Sequence, residues 1–452
     1  MRRCGLAILW ISALLLAGCI QQPSGIDESL SLSIPQVWTS ESGVPASQSW
    51  LADFNDSQLE ALVREALSGN LQLQAGIARL DQAAAFARIN RADRWPSVNL
   101  GGSAQRFTSL MNRSAADSFS LNGTVSWEAD LWGRVRAQVT GAEADLLAAE
   151  SDFEGLRISI AGFVAQAWFA AIEARNQEDL SRETVESFEA NLLTVEERFQ
   201  RGLSPALDLR LTRANVASAR ATYNQQKRVA DNAVRTLEVL LGRYPGASLQ
   251  TEEELPVLNS PIPAGVPADL LSRRPDVLSS YQRLVSADAG WIESKRALLP
   301  SINLTGQYGW TSSELDNLLK DGFDVWSLLG NVTAPVFQGG RLRANVARTE
   351  AARAEAVANY QDTILTAFRE VEAGLAGEIL LQQQLAAVTA AAEESIGAQE
   401  LAEERYERGL VNIVTVLEAQ RRAFNAKSNM IQVQAALLQN RLALYLALGG
   451  GF

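Results

Sequence analysis

The stretch GRVRAQV, residues 133–139, returns as GRLRANV at residues 340–346. ERFQRGL from Glu197 returns as ERYERGL from Glu404, and the LLG ending at Gly242 returns as the ALG ending at Gly449. All three pairs are 207 residues apart (340−133, 404−197, 449−242). Upstream, RWPSVNL ending at Leu100 matches LLPSINL ending at Leu304, an offset of 204. A register held over more than a hundred residues means duplication with almost no insertion. The period is far longer than the roughly 20–50 residues of a solenoid unit, so each copy is a whole structural half.

Working outward, each copy contains a stretch without proline, from Arg134 to Arg201 and from Arg341 to Arg408. Each is 68 residues (201−134+1 and 408−341+1), rich in Ala, Glu, Leu, Gln and Arg, all strong helix formers. As helix that is roughly 100 Å. Gly202 and Gly409 are placed to end these helices, because glycine tolerates the positive φ of a helix C-terminus. Ser204, with Pro205 after it, and Asn412 are candidate caps for the returning helices. Tyr223, Ala230 and Leu237 are spaced by seven, as are Met430, Leu437 and Leu444. That spacing predicts coiled-coil seams.

Ahead of each helical hairpin the period switches to alternation. Phe119, Leu121, Gly123, Val125 and Trp127 alternate in the first copy, and Ile302, Leu304, Gly306, Tyr308 and Trp310 in the second. These stretches predict strand hairpins over about 97–128 and 301–337, with strands of the length that crosses a membrane when tilted. The expected division is therefore a signal at 1–18, a tether at 19–56, a first repeat at 57–242, a linker at 243–266 and a second repeat at 267–452.

The N-terminus is basic at Arg2 and Arg3, then apolar from Leu6 to Ala17, the pattern of a secretory signal. LLAGC, ending at Cys19, resembles the lipobox of bacterial lipoproteins, which implies lipidation of Cys19. Ile20 at the next position implies sorting to the outer membrane in such proteins. Cys4 leaves with the signal, so no internal disulfide is expected. Without Arg2 and Arg3, 38 basic residues face 52 acidic ones, which argues against a nucleic-acid partner. Histidine is absent. With it go the commonest general base and zinc ligand, and no catalytic residue, cofactor or metal site is expected.

Four membrane strands cannot close a barrel, because the smallest barrels have about eight, and an open edge in lipid leaves backbone groups unpaired. Three copies would supply twelve strands with threefold symmetry. The fold class expected is mostly α with a membrane β-barrel portion: a homotrimeric twelve-stranded barrel on a coiled-coil helical tunnel. WEADLWGRVR from Trp127 and LLSRRPDV from Leu270, with the lipobox and duplication, resemble the TolC family of outer-membrane efflux proteins, in its NodT/OprM-type lipoprotein branch.

The resemblance implies a passive export duct for drugs or other small molecules, lipid-anchored in the outer membrane and extending into the periplasm. It implies docking to a periplasmic adaptor and an inner-membrane pump of the resistance-nodulation-division type. Adaptor docking falls on the hairpin tips, Arg201, Gly202, Leu203 and Ser204, and Arg408, Gly409, Leu410 and Val411. The family's constriction falls on Val414 and Glu418. Its closing latch falls on Tyr406 and Asp208, with Arg421 a second possible partner. Thr415 and Val411 depart from the acidic and arginine residues some members carry there. Type I protein secretion and a periplasmic coiled-coil lipoprotein are the alternative functions.

Overall fold

A computed structural model describes residues 35, 37–39, 50–108, 115–251, 254–258 and 267–450. Cys19 and the signal lie outside the described residues. Two helices, α1 (Ser57–Gly69) and α2 (Leu71–Ala92), precede the strands β1 (Ser97–Thr108) and β2 (Ala115–Glu128). The long helix α3 (Arg134–Gln200) and its return α4 (Ala206–Leu240) complete the first copy. The second runs α5 (Pro267–Arg273), α6 (Pro275–Arg296), β3 (Ser301–Ser312), β4 (Asp324–Thr333), α7 (Arg341–Glu407) and α8 (Ile413–Ala447). Every boundary of α7 and α8 stands 207 residues after that of α3 and α4. The fourth strand stops at Thr333, short of the expected Phe337, just before Pro335, which has no amide hydrogen for a ladder.

The chain divides into two compact units, and each copy contributes to both. One takes residues 78–151 and 279–363; the other takes 34–77, 152–278 and 364–452. The first unit holds one antiparallel sheet in the order β1-β2-β3-β4, with β1 and β4 at its edges. Directly opposed residues share a face. The register aligns Val98 with Val125, Leu121 with Trp310, Trp127 with Leu304 and Tyr308 with Trp326. This face is apolar across all four strands except at its loop end, which carries Arg106 opposite Asp117, and Asp324. Glycine there sits opposite a large neighbour: Gly123 meets Leu100 and Tyr308, and Gly330 meets Leu304.

The other face carries Asn99, Thr124, Gln307, Asn303 and Asn331. Hydroxyl pairs at 2.7 Å (Ser97–Ser126) and 2.8 Å (Ser103–Ser120) tie it together. Phe107 belongs to this polar face, opposite Ala116. Trp132 is half-buried and donates to the Pro300 carbonyl at 2.6 Å.

The second unit is built around Ile160, Val164, Trp168, Phe169 and Ile172 of α3, packed with Leu59 and Val63 of α1, Leu237 of α4 and Leu442 of α8. That core accounts for the apolar window of α3, which is long enough by composition to cross a membrane but is half buried in protein. The N-terminal tether docks here. Trp50 and Phe54 are both 1% exposed, Trp38 meets Phe368 edge-on at 6.0 Å, and the Thr39 amide donates to Glu372 at 2.7 Å. Asp56 caps α1 through the Leu59 amide and also accepts from the Trp168 indole at 2.6 Å.

The described part of 243–258 is loop. Buried Glu238 organises it by accepting the amides of Ala247 and Ser248 at 2.8 Å and of Leu249 at 3.2 Å. Burial alone would raise the carboxyl pKa. The Ser248 and Ala247 amides, with the Ser248 hydroxyl and the Leu249 amide, outweigh it and hold Glu238 below the usual carboxylate range.

Candidate functional site

Both tips are the same hydrogen-bonded turn. Gly202, at φ +71°, and Gly409, at φ +74°, sit just past the long helices. The Leu203 amide reaches back to the Arg198 carbonyl at 2.8 Å, and the Leu410 amide to the Arg405 carbonyl at 2.8 Å. Leu203 (73%) and Leu410 (69%) are exposed. Arg201 pairs with Glu197 at 3.4 Å and Arg408 pairs with Glu404, each along its own helix.

The returning helices differ. Asn412 caps α8 by accepting the Thr415 amide at 3.0 Å, as its sequence position predicts. Ser204 makes no cap: α4 starts one residue later than expected, with Pro205 at the cap position and no side-chain cap bond. The Ser204 hydroxyl instead donates to Asp208 at 3.0 Å. With proline next in line, the first turn is already preset in φ and needs no side-chain acceptor.

Three of the expected gate residues, Val414, Glu418 and Arg421, gather where α3, α4 and α8 meet. Phe188, Leu211, Asn215, Val414, Glu418 and Arg421 line a cavity of about 340 Å³ there. Glu418 is half-exposed and bonds Arg421 at 2.8 Å, with Arg422 at 3.9 Å. The Arg421 hydrogen bond, then its charge and that of Arg422, hold the Glu418 carboxyl below its ordinary value. Within a chain, the acid is already partnered by an arginine one turn on.

Tyr406 is buried among Val195, Leu209, Ile413 and Val416. Its ring is covered by the Arg198 guanidinium at 4.5 Å. Asp208 bonds Ser204 and not Tyr406, so the expected latch pair is not joined within one chain. Arg198 itself has no distinctive sequence signal. Only its place in the repeated ERFQRGL and ERYERGL segments marks it.

The two signature segments are junctions. In WEADLWGRVR, Asp130 accepts the Val135 and Arg136 amides at 3.1 and 2.9 Å and so starts α3. Arg134 forks onto Glu128, its closer bond 2.8 Å, and Gly133 needs its φ of +82°. In LLSRRPDV, buried Arg274 forks onto Asp276 at 2.6 and 2.9 Å. It also reaches Glu370 at 2.7 Å and the Ala447 carbonyl at 3.0 Å. One arginine thereby ties the start of α6 to α7 and to the end of α8.

The profile of the family described as "Outer membrane efflux protein" matches residues 62–243 and 266–450, one match on each copy. The outer membrane protein OprJ of Pseudomonas aeruginosa is 35% identical over 416 residues, covering 89% of this chain and 86% of its own. The solvent efflux pump outer membrane protein SrpC of Pseudomonas putida is 33% identical, covering 88% and 86%. The outer-membrane channel OprN superposes with a TM-score of 0.88 at 26% identity, over 95% of this chain and 99% of its own. The CmeC outer membrane channel of Campylobacter jejuni gives 0.87 at 28% identity, over 96% and 94%.

Proposed function

Since the chain belongs to the outer membrane efflux protein family, we propose that it is the outer-membrane channel of an efflux system, a passive duct for drugs or other small molecules. The observation that carries this is the sheet. One face is mainly apolar over four strands, the other is mainly polar apart from Phe107, Val325 and Leu329, and both edges are open. A sheet of that kind suits lipid on one side and a water-filled lumen on the other. Open edges in lipid cost several kcal/mol per unpaired group, so edge strands β1 and β4 pair with neighbouring copies, and a homotrimer of twelve strands closes the barrel.

Cys19 carries the lipid, and the docked residues around Trp38, Trp50 and Phe54 fix where the tether leaves the protein. The exposed tip leucines, Leu203 and Leu410, within Arg201–Ser204 and Arg408–Val411, receive a periplasmic adaptor, which links the duct to an inner-membrane pump of the resistance-nodulation-division type. Val414 and Glu418 narrow the lumen, with Arg421 setting how much of the Glu418 charge is free. Tyr406 and Asp208 latch the closed state. Asp208→Ala with Tyr406→Phe then raises single-channel conductance; an unchanged conductance removes the latch assignment.

The function is tested by inserting the purified protein into planar lipid bilayers. Discrete, ohmic conductance steps are expected. A correctly assembled oligomer that inserts yet conducts nothing contradicts the duct.

A further inference from the structure

Near the tips, two sets of polar contacts fasten the first helical hairpin to the second within the chain. Arg198 of α3 covers the Tyr406 ring of α7 and donates to the Glu407 carbonyl at 2.9 Å. Gln420 of α8 donates to Ser187 of α3 at 3.1 Å, and to Glu403 of its own hairpin at 2.8 Å.

Every residue in this set has a counterpart 207 positions away. Arg405 stands for Arg198, Phe199 for Tyr406 and Gln200 for Glu407. Arg213 stands for Gln420, Glu394 for Ser187 and Glu196 for Glu403. The contact inside a hairpin is conserved between the copies: Arg213 bonds Glu196 at 2.8 Å, as Gln420 bonds Glu403.

The contacts between hairpins are made only once. Among the described residues, the Arg405 and Glu394 side chains are exposed and have no hydrogen bond or ion pair. Phe199 is 40% exposed, whereas Tyr406 is 5% exposed. The chain thus carries half of a repeated interface, and the other half lacks its second side. The exposed sides carry complementary chemistry: a cation with an aromatic ring, and a cation with a carboxylate.

We propose that a second copy of this chain completes the set. Arg405 of one copy covers Phe199 of the next and donates to its Gln200 carbonyl. Glu394 of one copy pairs with Arg213 of the next. The first hairpin meets the second within a chain, and the second meets the first of the following chain in the same rotational sense, so the contacts close into a ring. Where the chain uses a neutral Gln420–Ser187 bond, the seam between copies uses opposite charges. The seam thereby selects its register, since like charges brought together there would repel. A third in-chain contact, Gln177 with Ser428 at 2.8 and 3.0 Å, has Gln384 and Ala221 as counterparts and supplies no hydrogen bond to the seam.

This inference rests on the oligomeric channel proposed above. It is tested in outer membranes with Arg213→Cys/Glu394→Cys and a short bis-methanethiosulfonate reagent, using Ser187→Cys/Gln420→Cys as the in-chain control and wild type as the control for Cys19. The expected result is reagent-dependent dimers and trimers on non-reducing gels for the first pair, and cross-linked monomer for the second. A protein of trimeric native mass whose Arg213/Glu394 pair gives no oligomeric cross-link overturns the seam. A monomeric native mass overturns the assembly itself. Charge exchange supplies a second readout: Glu394→Arg lowers the fraction of trimer, and adding Arg213→Glu restores it. Failure of the double exchange to restore what the single one loses also overturns the pairing.

Discussion

The two copies share a backbone register and differ in what they bury. In the second copy, Glu378 of α7 and Arg441 of α8, at 0% and 1% side-chain exposure, form an ion pair. The residues 207 positions earlier are Ala171 and Val234, equally buried and apolar. Near the tips, Glu418 and Arg421 of the second copy stand where the first has Leu211 and Ala214. At the ends of the returning helices, Glu238 of the first copy collects loop amides, and its counterpart Tyr445 bonds Asp53 of the tether and carries a raised pKa, chiefly from burial. Duplication fixed the geometry, and substitution then assigned different work to equivalent positions. The Glu418–Arg421 pair belongs to the second copy alone, so the constriction proposed for a trimer has three such pairs and not six.

The largest test of this divergence is the buried pair. Glu378→Ala strands a buried guanidinium and is expected to lower unfolding stability by about 3–5 kcal/mol. Combining it with Arg441→Val restores the first copy's apolar chemistry and is expected to recover most of that loss. Urea unfolding in detergent measures both; a double variant as unstable as the single one breaks the equivalence of the two copies.

Glu238→Gln comes next, at about 2 kcal/mol near neutral pH, the range for a buried group that loses charged hydrogen bonds. Its sign with pH follows from the depressed pKa. The contribution is fully present above the unfolded carboxylate value of about 4.3 and is lost as pH falls through the lower folded value. The variant's midpoint should therefore converge on wild type below that range, and parallel curves down to strong acid would remove the assignment.

Gly202→Ala and Gly409→Ala sharpen the comparison in the opposite direction, as positions where the copies still agree. Neither added Cβ meets an atom within 4 Å, so both costs are conformational and similar, about 1–2 kcal/mol each. Unequal thermal midpoints would mean the tips are not equivalent. The smallest effect is at the gate. Glu418→Leu installs the first copy's residue and should weaken block by divalent cations in bilayer recordings, without abolishing conduction. Block of unchanged strength would place Glu418 off the lumen.

The long helices, their glycine ends and the strand hairpins are legible in the sequence because each depends on local periodicity and short-range backbone preference. The Asn412 cap is legible for the same reason. The buried Glu378–Arg441 pair is not, because 63 residues separate its members and nothing local says which helix faces meet. Arg198 over Tyr406 was missed for the same reason. The role of Ser204 is not legible, because a serine before proline fits two local geometries and only the nearby Asp208 acceptor decides between them. The lipidation of Cys19 is carried by the motif and falls outside the described residues.

A duct requires closure of the sheet. The measurement that tests it is the native mass of the detergent-extracted protein by light scattering with detergent correction. Three copies per particle is the predicted result. A monomer that stays monomeric and folded across protein concentrations would leave β1 and β4 as permanent edges, and the duct would be contradicted.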